Sequence, residues 1–286
     1  TIIAGGVEAS MRRLAHYDYW SDKVKRSILF DSKASLVSYG MGETSLVEIF
    51  RRLDAGEQVE TIRDVRGTVY RLGKTEDLPE ESETLMHLPS FEEVAEDKTF
   101  FATMTKIAYQ NLNPYSAKTL VQEHGEEAIV VNPPSLPLST EEMDRVYGLP
   151  YTRRPHPAYD GHSIPAFEVV RYSVPVVRGC FGGCAFCSLT AHQGKFVQCR
   201  SEQSVLNELK SYAADKDFHG TISDLGGPTA NMYKLGCTNE EKMKVCRRVS
   251  CLHPEICPNL NTDHGPLIEL MQKAREIDGI KNVLRN

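Results

Sequence analysis

Cys180-Phe181-Gly182-Gly183-Cys184-Ala185-Phe186-Cys187 is the stretch on which the reading of this sequence turns. Its thiols are separated by three and then two residues. The apolar run Ser173 to Val177 just before it is predicted to be a buried strand, so the thiols fall on the loop that leaves the strand. Downstream, a helix is expected from Ser201 to Ala214, capped by Ser201, with Val205, Leu209 and Tyr212 on one face. A second strand is expected over Gly220 to Leu225, a helix over Gly265 to Ile277 with Pro266 in its first turn, and a third strand over Ile280 to Leu284. Strand, loop, helix, strand, helix is the grammar of a parallel sheet, which makes the class α/β. Three such units are too few to close an eight-stranded barrel, so the chain is expected to continue beyond its last residue.

Upstream, Thr1-Ile2-Ile3-Ala4-Gly5-Gly6 reads as the tail of a buried strand entering a glycine turn, as if the chain began inside a domain. A short helix over Glu8 to Leu14, a strand over Ser35 to Tyr39 and a turn at Gly40-Met41-Gly42-Glu43 follow. The turn leads into a helix with Leu46, Ile49, Phe50 and Leu53 inward. This part, residues 1–56, reads as a truncated Rossmann-like segment. Residues 57–168 read as a connector with a strand over Gly67 to Leu72, a helix over Phe91 to Leu112, and a hairpin of Lys118 to Gln122 with Ala128 to Val131 around Gly125. Prolines at 133, 134, 137, 150, 155, 157 and 165 leave its end poor in regular structure. Residues 169–286 form the last domain.

The 41% hydrophobic and 25% charged composition is that of a folding globular chain rather than a disordered one. A net charge of -6 speaks against nucleic-acid binding, which needs a lysine- and arginine-rich face. No apolar run approaches the roughly 20 residues of a membrane span, and the first residues lack the charged-then-apolar-then-small pattern of a signal peptide. A cytoplasmic location is expected. All eight cysteines lie beyond residue 179, and such clustering without a signal peptide reads as metal ligation in a reducing cytosol rather than as disulfides.

Thiolates are the usual ligands of iron–sulfur clusters, and three of them on a four-iron cubane leave one iron with a free position. Gly182 and Gly183 allow a tight wrap that offers main-chain N–H groups to cluster sulfides. A zinc knuckle wants a fourth ligand and a ferredoxin usually supplies one, which this loop does not.

On this loop the sequence resembles the radical-SAM superfamily, whose motif is a three-cysteine loop after the first barrel strand. The resemblance implies a [4Fe-4S] cluster on Cys180, Cys184 and Cys187, with S-adenosylmethionine (SAM) bound at the open iron and cleaved reductively to a 5'-deoxyadenosyl radical. It implies that Phe186 borders adenine, with core packing as the alternative. It also implies that Gly226 and Gly227, in Asp224-Leu225-Gly226-Gly227-Pro228-Thr229-Ala230-Asn231, let the strand backbone approach the methionine amino group. Pro228 stands where the superfamily usually has an acid. An external donor such as flavodoxin or ferredoxin is implied.

More narrowly, the chain resembles YgiQ-type radical-SAM proteins through Ala4-Gly5-Gly6-Val7-Glu8-Ala9-Ser10, His16-Tyr17-Asp18-Tyr19-Trp20, Arg178 through Cys187, Gly226 through Asn231 and Cys257-Pro258-Asn259-Leu260. The expected architecture is a partial radical-SAM, TIM-barrel-like domain behind a partial Rossmann-like segment. That front segment resembles the cobalamin-binding-like domains of such enzymes. Cobalamin itself is not supported, since Asp160-Gly161-His162 has Pro165 where the ligand signature needs Gly.

Cys237, Cys246, Cys251 and Cys257 form a second group, open to a structural zinc, an auxiliary cluster or free thiols. Asn261, Asp263 and His264 follow, either facing a polar substrate or, for Asp263, capping a helix. Cys199 reads as a lone packed thiol. The alternative from another class is a zinc-stabilised nucleic-acid or protein binding module; a pure electron carrier is a third.

Overall fold

Residues 1–227 and 231–284 are described by a computed structural model. Along the chain the elements are β1 (Ile3–Ala4), α1 (Gly6–Met11), β2 (His16–Asp18), β3 (Lys23–Lys25), α2 (Ile28–Asp31), β4 (Leu36–Ser38) and α3 (Glu43–Asp54). Next come β5 (Thr68–Leu72), β6 (Leu85–His87), α4 (Phe91–Glu96), α5 (Lys98–Gln110), β7 (Thr119–His124), β8 (Glu127–Val131), α6 (Thr140–Tyr147) and α7 (Pro165–Val170). The remainder is β9 (Ser173–Pro175), β10 (Val177–Arg178), α8 (Leu189–Gln193), β11 (Gln198–Cys199), α9 (Glu202–Ala213), β12 (Thr221–Ile222), β13 (Asp224–Gly226), α10 (Glu240–Val245), α11 (Gly265–Arg275) and β14 (Asn282–Val283). They fall into two units: one holds Thr1–Leu136, Phe181–Lys195 and Asn239–Ile256, the other Pro137–Cys180, Phe196–Thr238 and Cys257–Asn286.

In the first unit, six strands make one mixed sheet in the order β1-β4-β5-β8-β7-β6. The pairs β1–β4 and β6–β7 are parallel, the three between them antiparallel. Successive side chains alternate between faces, as the pleat requires. Val37, Val69, Ile129 and Val131 join α1, α4 and α5 in one core, whereas Leu36 packs with Ile49 and Ile62 on the other side. Burying each of these aliphatic side chains contributes roughly 1.5–3 kcal/mol.

Several expectations need correction here. The Rossmann-like reading of residues 1–56 does not extend beyond β1 and β4, because β5 runs antiparallel to β4. Residues 57–136 are no mere connector, since their four strands complete the same sheet; sequence spacing does not reveal which strands will pair. The helix expected over Phe91 to Leu112 is two helices, parted by extended Asp97, whose carboxylate accepts from Thr99 N–H at 2.7 Å and so starts α5. In α3, Ile49 is buried but Phe50, a 100° step away, is 59% exposed. The proline-rich stretch still contains α6, nucleated by a capping box between Ser139 and Glu142. The hairpin around Gly125 forms as read, with β7 and β8 antiparallel.

In the second unit, β9 lies parallel to β13 and β12 parallel to β14, with α9 and α11 on the connections. Residues 221–226 therefore stand between β9 and β14, broken only at Ser223. Ser201 caps α9 by accepting from Ser204 N–H, and Val205, Leu209 and Tyr212 are buried, as the pattern requires. The strand expected over Ser173 to Val177 changes partner midway. Val176 donates to Gly226 O at 2.6 Å and accepts from Arg200 N–H at 3.1 Å, so β10 turns to pair antiparallel with β11.

His124 in the first unit gives a pH test. Its ring lies against Phe30 and Phe91, with centroids 4.9 and 5.5 Å away, and neither ring nitrogen has a hydrogen-bond partner among the described residues. Burial lowers its pKa from 6.5 to about 4, with the Arg26 charge acting the same way. The unfolded chain therefore takes up the proton first, and stability present near neutrality is lost as pH falls through 6.5 towards 4. The full loss is about 3 kcal/mol. Urea unfolding at pH 7 and pH 5 should show most of this loss, and His124→Leu should remove its share; an unchanged pH dependence in the variant refutes the assignment.

Candidate functional site

The second unit delivers the chain to Cys180. Arg200, 1% exposed, holds the end of β9 through Nη1, which donates to Pro175 O at 3.0 Å. The same guanidinium reaches Glu208 Oε2 at 2.5 Å and Ser204 O at 3.0 Å and lies over the Tyr147 ring. Cys180 itself is buried. At the end of the neighbouring strand, a Cβ on Gly227 would stand 2.3 Å from Val177 Cγ1 and 3.2 Å from Val177 O, so only glycine permits this approach. Gly226 closes β13 and accepts from Val176 N–H. Pro228, Thr229 and Ala230, the rest of that motif, lie outside the described residues.

The first unit holds Phe181 to Lys195. Phe181 is buried, and its carbonyl accepts from Cys251 N–H at 2.9 Å. Gly183 has φ +62, and a Cβ there would meet Val249 O at 2.6 Å, so this turn too demands glycine. Gly183 N–H donates to Thr190 Oγ1 at 3.3 Å, and Cys187 N–H to Cys184 O at 3.1 Å, which curls the chain into α8. Cys184 is exposed and Cys187 half-buried. Phe186 is 93% exposed, which rules out the core-packing alternative for its ring. His192 on α8 shares a 2.8 Å hydrogen bond with Ser10 Oγ, and burial pushes its imidazole below the usual range. Ser10 is fully buried and also accepts from Gly40 N–H, so this pair fastens α8 to α1 and offers no accessible nucleophile.

The second cysteine group divides between the units, with Cys246 and Cys251 in the first and Cys237 and Cys257 in the second. Asn113 Nδ2 lies 2.9–3.2 Å from the carbonyls of Met243, Lys244 and Cys246 and so pins the end of α10. Burial acts to raise the Cys246 thiol, but the Arg248 amide and the Lys195 ammonium, 3.2 Å away, together hold it below the usual thiol range. In the second unit Cys237 bridges Leu260, whose N–H donates to Cys257 O. Cys199 accepts from Lys234 N–H at 3.1 Å. Asp263 accepts from Gly265 N–H at 2.9 Å at the start of α11, and Asn231 Nδ2 lies 2.6 Å from His264 Nδ1.

Among the described residues, no three Cys, His, Asp or Glu side chains converge on a point that holds a single ion. A cubane sets a different requirement, because each thiolate meets its own iron. The donor set has the chemistry for such a cluster: none of Cys180, Cys184 and Cys187 is tied up in a disulfide. One position escaped the sequence reading, Arg200, a single charged residue with no motif around it that only tertiary packing reveals.

Comparison with known proteins fits this picture. A family model described as Radical SAM N-terminal matches residues 1–173, which end before the three-cysteine loop. A UPF0313 protein of Methanocella arvoryzae is 51% identical over 282 residues, covering 99% of this chain and 46% of that protein. The UPF0313 proteins YgiQ of Salmonella typhimurium and Escherichia coli K12 are each 44% identical over 335 residues, again across 99% of the chain. The chain thus spans about half the length of the curated relatives it matches. With the family model covering more than half of its residues, and relatives of one name along nearly all of it, the chain belongs to the Radical SAM N-terminal family, in its YgiQ-type, UPF0313 branch.

Proposed function

We propose that the protein containing this chain is a radical-SAM enzyme that cleaves SAM reductively. The observation that carries the reading is the three-cysteine loop, with its three- and two-residue spacing, directly downstream of a strand in a chain of this family. Cys180, Cys184 and Cys187 are the proposed ligands. A [4Fe-4S] cluster held by these three thiolates would supply the electron for reductive cleavage of SAM to methionine and a 5'-deoxyadenosyl radical. Gly226 and Gly227 are proposed to present their backbone to the methionine moiety, and the exposed Phe186 ring is available to adenine. The second unit is proposed as the start of a radical-SAM barrel, its three parallel strands and two helical connections supporting that reading. A flavodoxin- or ferredoxin-like donor and a cytoplasmic location belong to the same proposal.

The test is anaerobic reconstitution of the full-length protein with iron and sulfide, reduction, and chromatography for 5'-deoxyadenosine after addition of SAM. Brown protein carrying iron and sulfide and yielding 5'-deoxyadenosine is the expected result. A colourless protein that retains zinc and no iron would support a zinc-stabilised binding module instead; iron–sulfur protein that cycles electrons without binding SAM would mark an electron carrier.

A further inference from the structure

The first unit contains a cavity of about 340 Å³ between the segment Met11–Tyr17 and one face of α5. Its walls are largely apolar, with Leu14, Ala15, Phe101, Met104 and Leu112 among them, and its size is at the lower end of small-molecule pockets. One lining residue breaks the pattern. Arg13 is 8% exposed, yet no carboxylate pairs with it among the described residues. Its neighbour Arg12, also on the cavity, has Glu8 at 3.2 Å and Asp18 at 3.9 Å. Arg13 Nη1 donates to Ser10 O, its Nε has no hydrogen-bond partner among the described residues, and its guanidinium carbon sits 4.7 Å from the centroid of the Tyr39 ring. Tyr39 gives no counter-charge, because burial pushes its phenol up to about 12, against the pull of Arg13 itself.

An unpaired buried cation is costly, and a chain that retains one beside an apolar cavity is arranged to receive an anion there. A single planar guanidinium matches the charge and shape of one carboxylate, and the apolar walls match a hydrocarbon body. We infer that this cavity is a binding site for a small organic monocarboxylate, with Arg13 facing its carboxylate and Phe101, Met104 and Leu112 enclosing its apolar part. The site lies in the first unit and does not depend on the cluster chemistry.

The experiment is isothermal titration of the full-length protein, without reconstitution, using 4-phenylbutyrate, its neutral analogue 4-phenylbutanamide, and inorganic phosphate. Saturable binding of the carboxylate, at least about tenfold tighter than the amide, is expected. Arg13→Met should abolish that preference, and Ala108→Phe, at a position on α5 that lines the cavity, fills it while keeping the charge and should abolish binding of both organic probes. Because the comparison of acid with amide is made on the unaltered protein, it decides the matter even if Arg13→Met does not fold. Equal binding of acid and amide, absence of saturable binding, binding unaffected by both variants, or phosphate binding as tightly as the carboxylate each overturns the inference.

Discussion

Cys184→Ala should reduce 5'-deoxyadenosine formation by the reconstituted full-length protein to background while leaving its folded structure intact. The two effects separate because this thiol is exposed, and the hydrogen bond that the Cys184 carbonyl accepts from Cys187 N–H is retained by alanine. Exposed substitutions of this kind change stability within about 0.5 kcal/mol. On the proposed function, however, losing this thiolate leaves two ligands where three are needed, and the iron content should fall with the activity. Cys199→Ala is the matched control, since that thiol sits in another segment and accepts from Lys234 N–H. Retention of iron and activity in Cys184→Ala, or their loss in Cys199→Ala, would sink the ligand assignment.

The largest stability effect is expected at Glu208. Its carboxylate lies between Arg200 and Arg153 and also accepts from Tyr212 OH at 3.3 Å, all within the second unit. Glu208→Leu leaves the 1%-exposed Arg200 without its counter-ion, and breaking one partner of a buried pair costs about 3–5 kcal/mol. Arg153 is partly exposed and can turn to water, so most of the cost arises at Arg200. The double variant Arg200→Met, Glu208→Leu removes both charges and should recover much of the loss, although Pro175 O and Ser204 then lose their donors. Urea unfolding decides it: a shift below about 1 kcal/mol for Glu208→Leu, or no recovery in the double variant, contradicts the argument.

The three-cysteine loop and its flanking elements were legible because their signals are local. Ser201 caps a helix from its own side chain, Val205, Leu209 and Tyr212 keep a helical spacing, and three thiols within one short loop need no distant partner to be noticed. The second cysteine group was legible only as a list, since its members divide between units and their spacing carries no geometry. The break at Asp97 was missed because an Asp inside an apolar period reads as an exposed helical position until its carboxylate is seen on the Thr99 amide.

By itself the sequence determined the α/β class, the family, the thiol loop and the glycines that its turns and strand ends demand, because propensity, capping and positive-φ geometry act over a few residues. Only the tertiary structure decided that β5 to β8 join β1 and β4 in one mixed sheet, that Phe186 stands in solvent, and that, among the described residues, Arg200 finds a carboxylate while Arg13 finds none. Strand pairing, exposure and charge neutralisation depend on which distant residues become neighbours, and that is settled by how the whole chain closes around its cores.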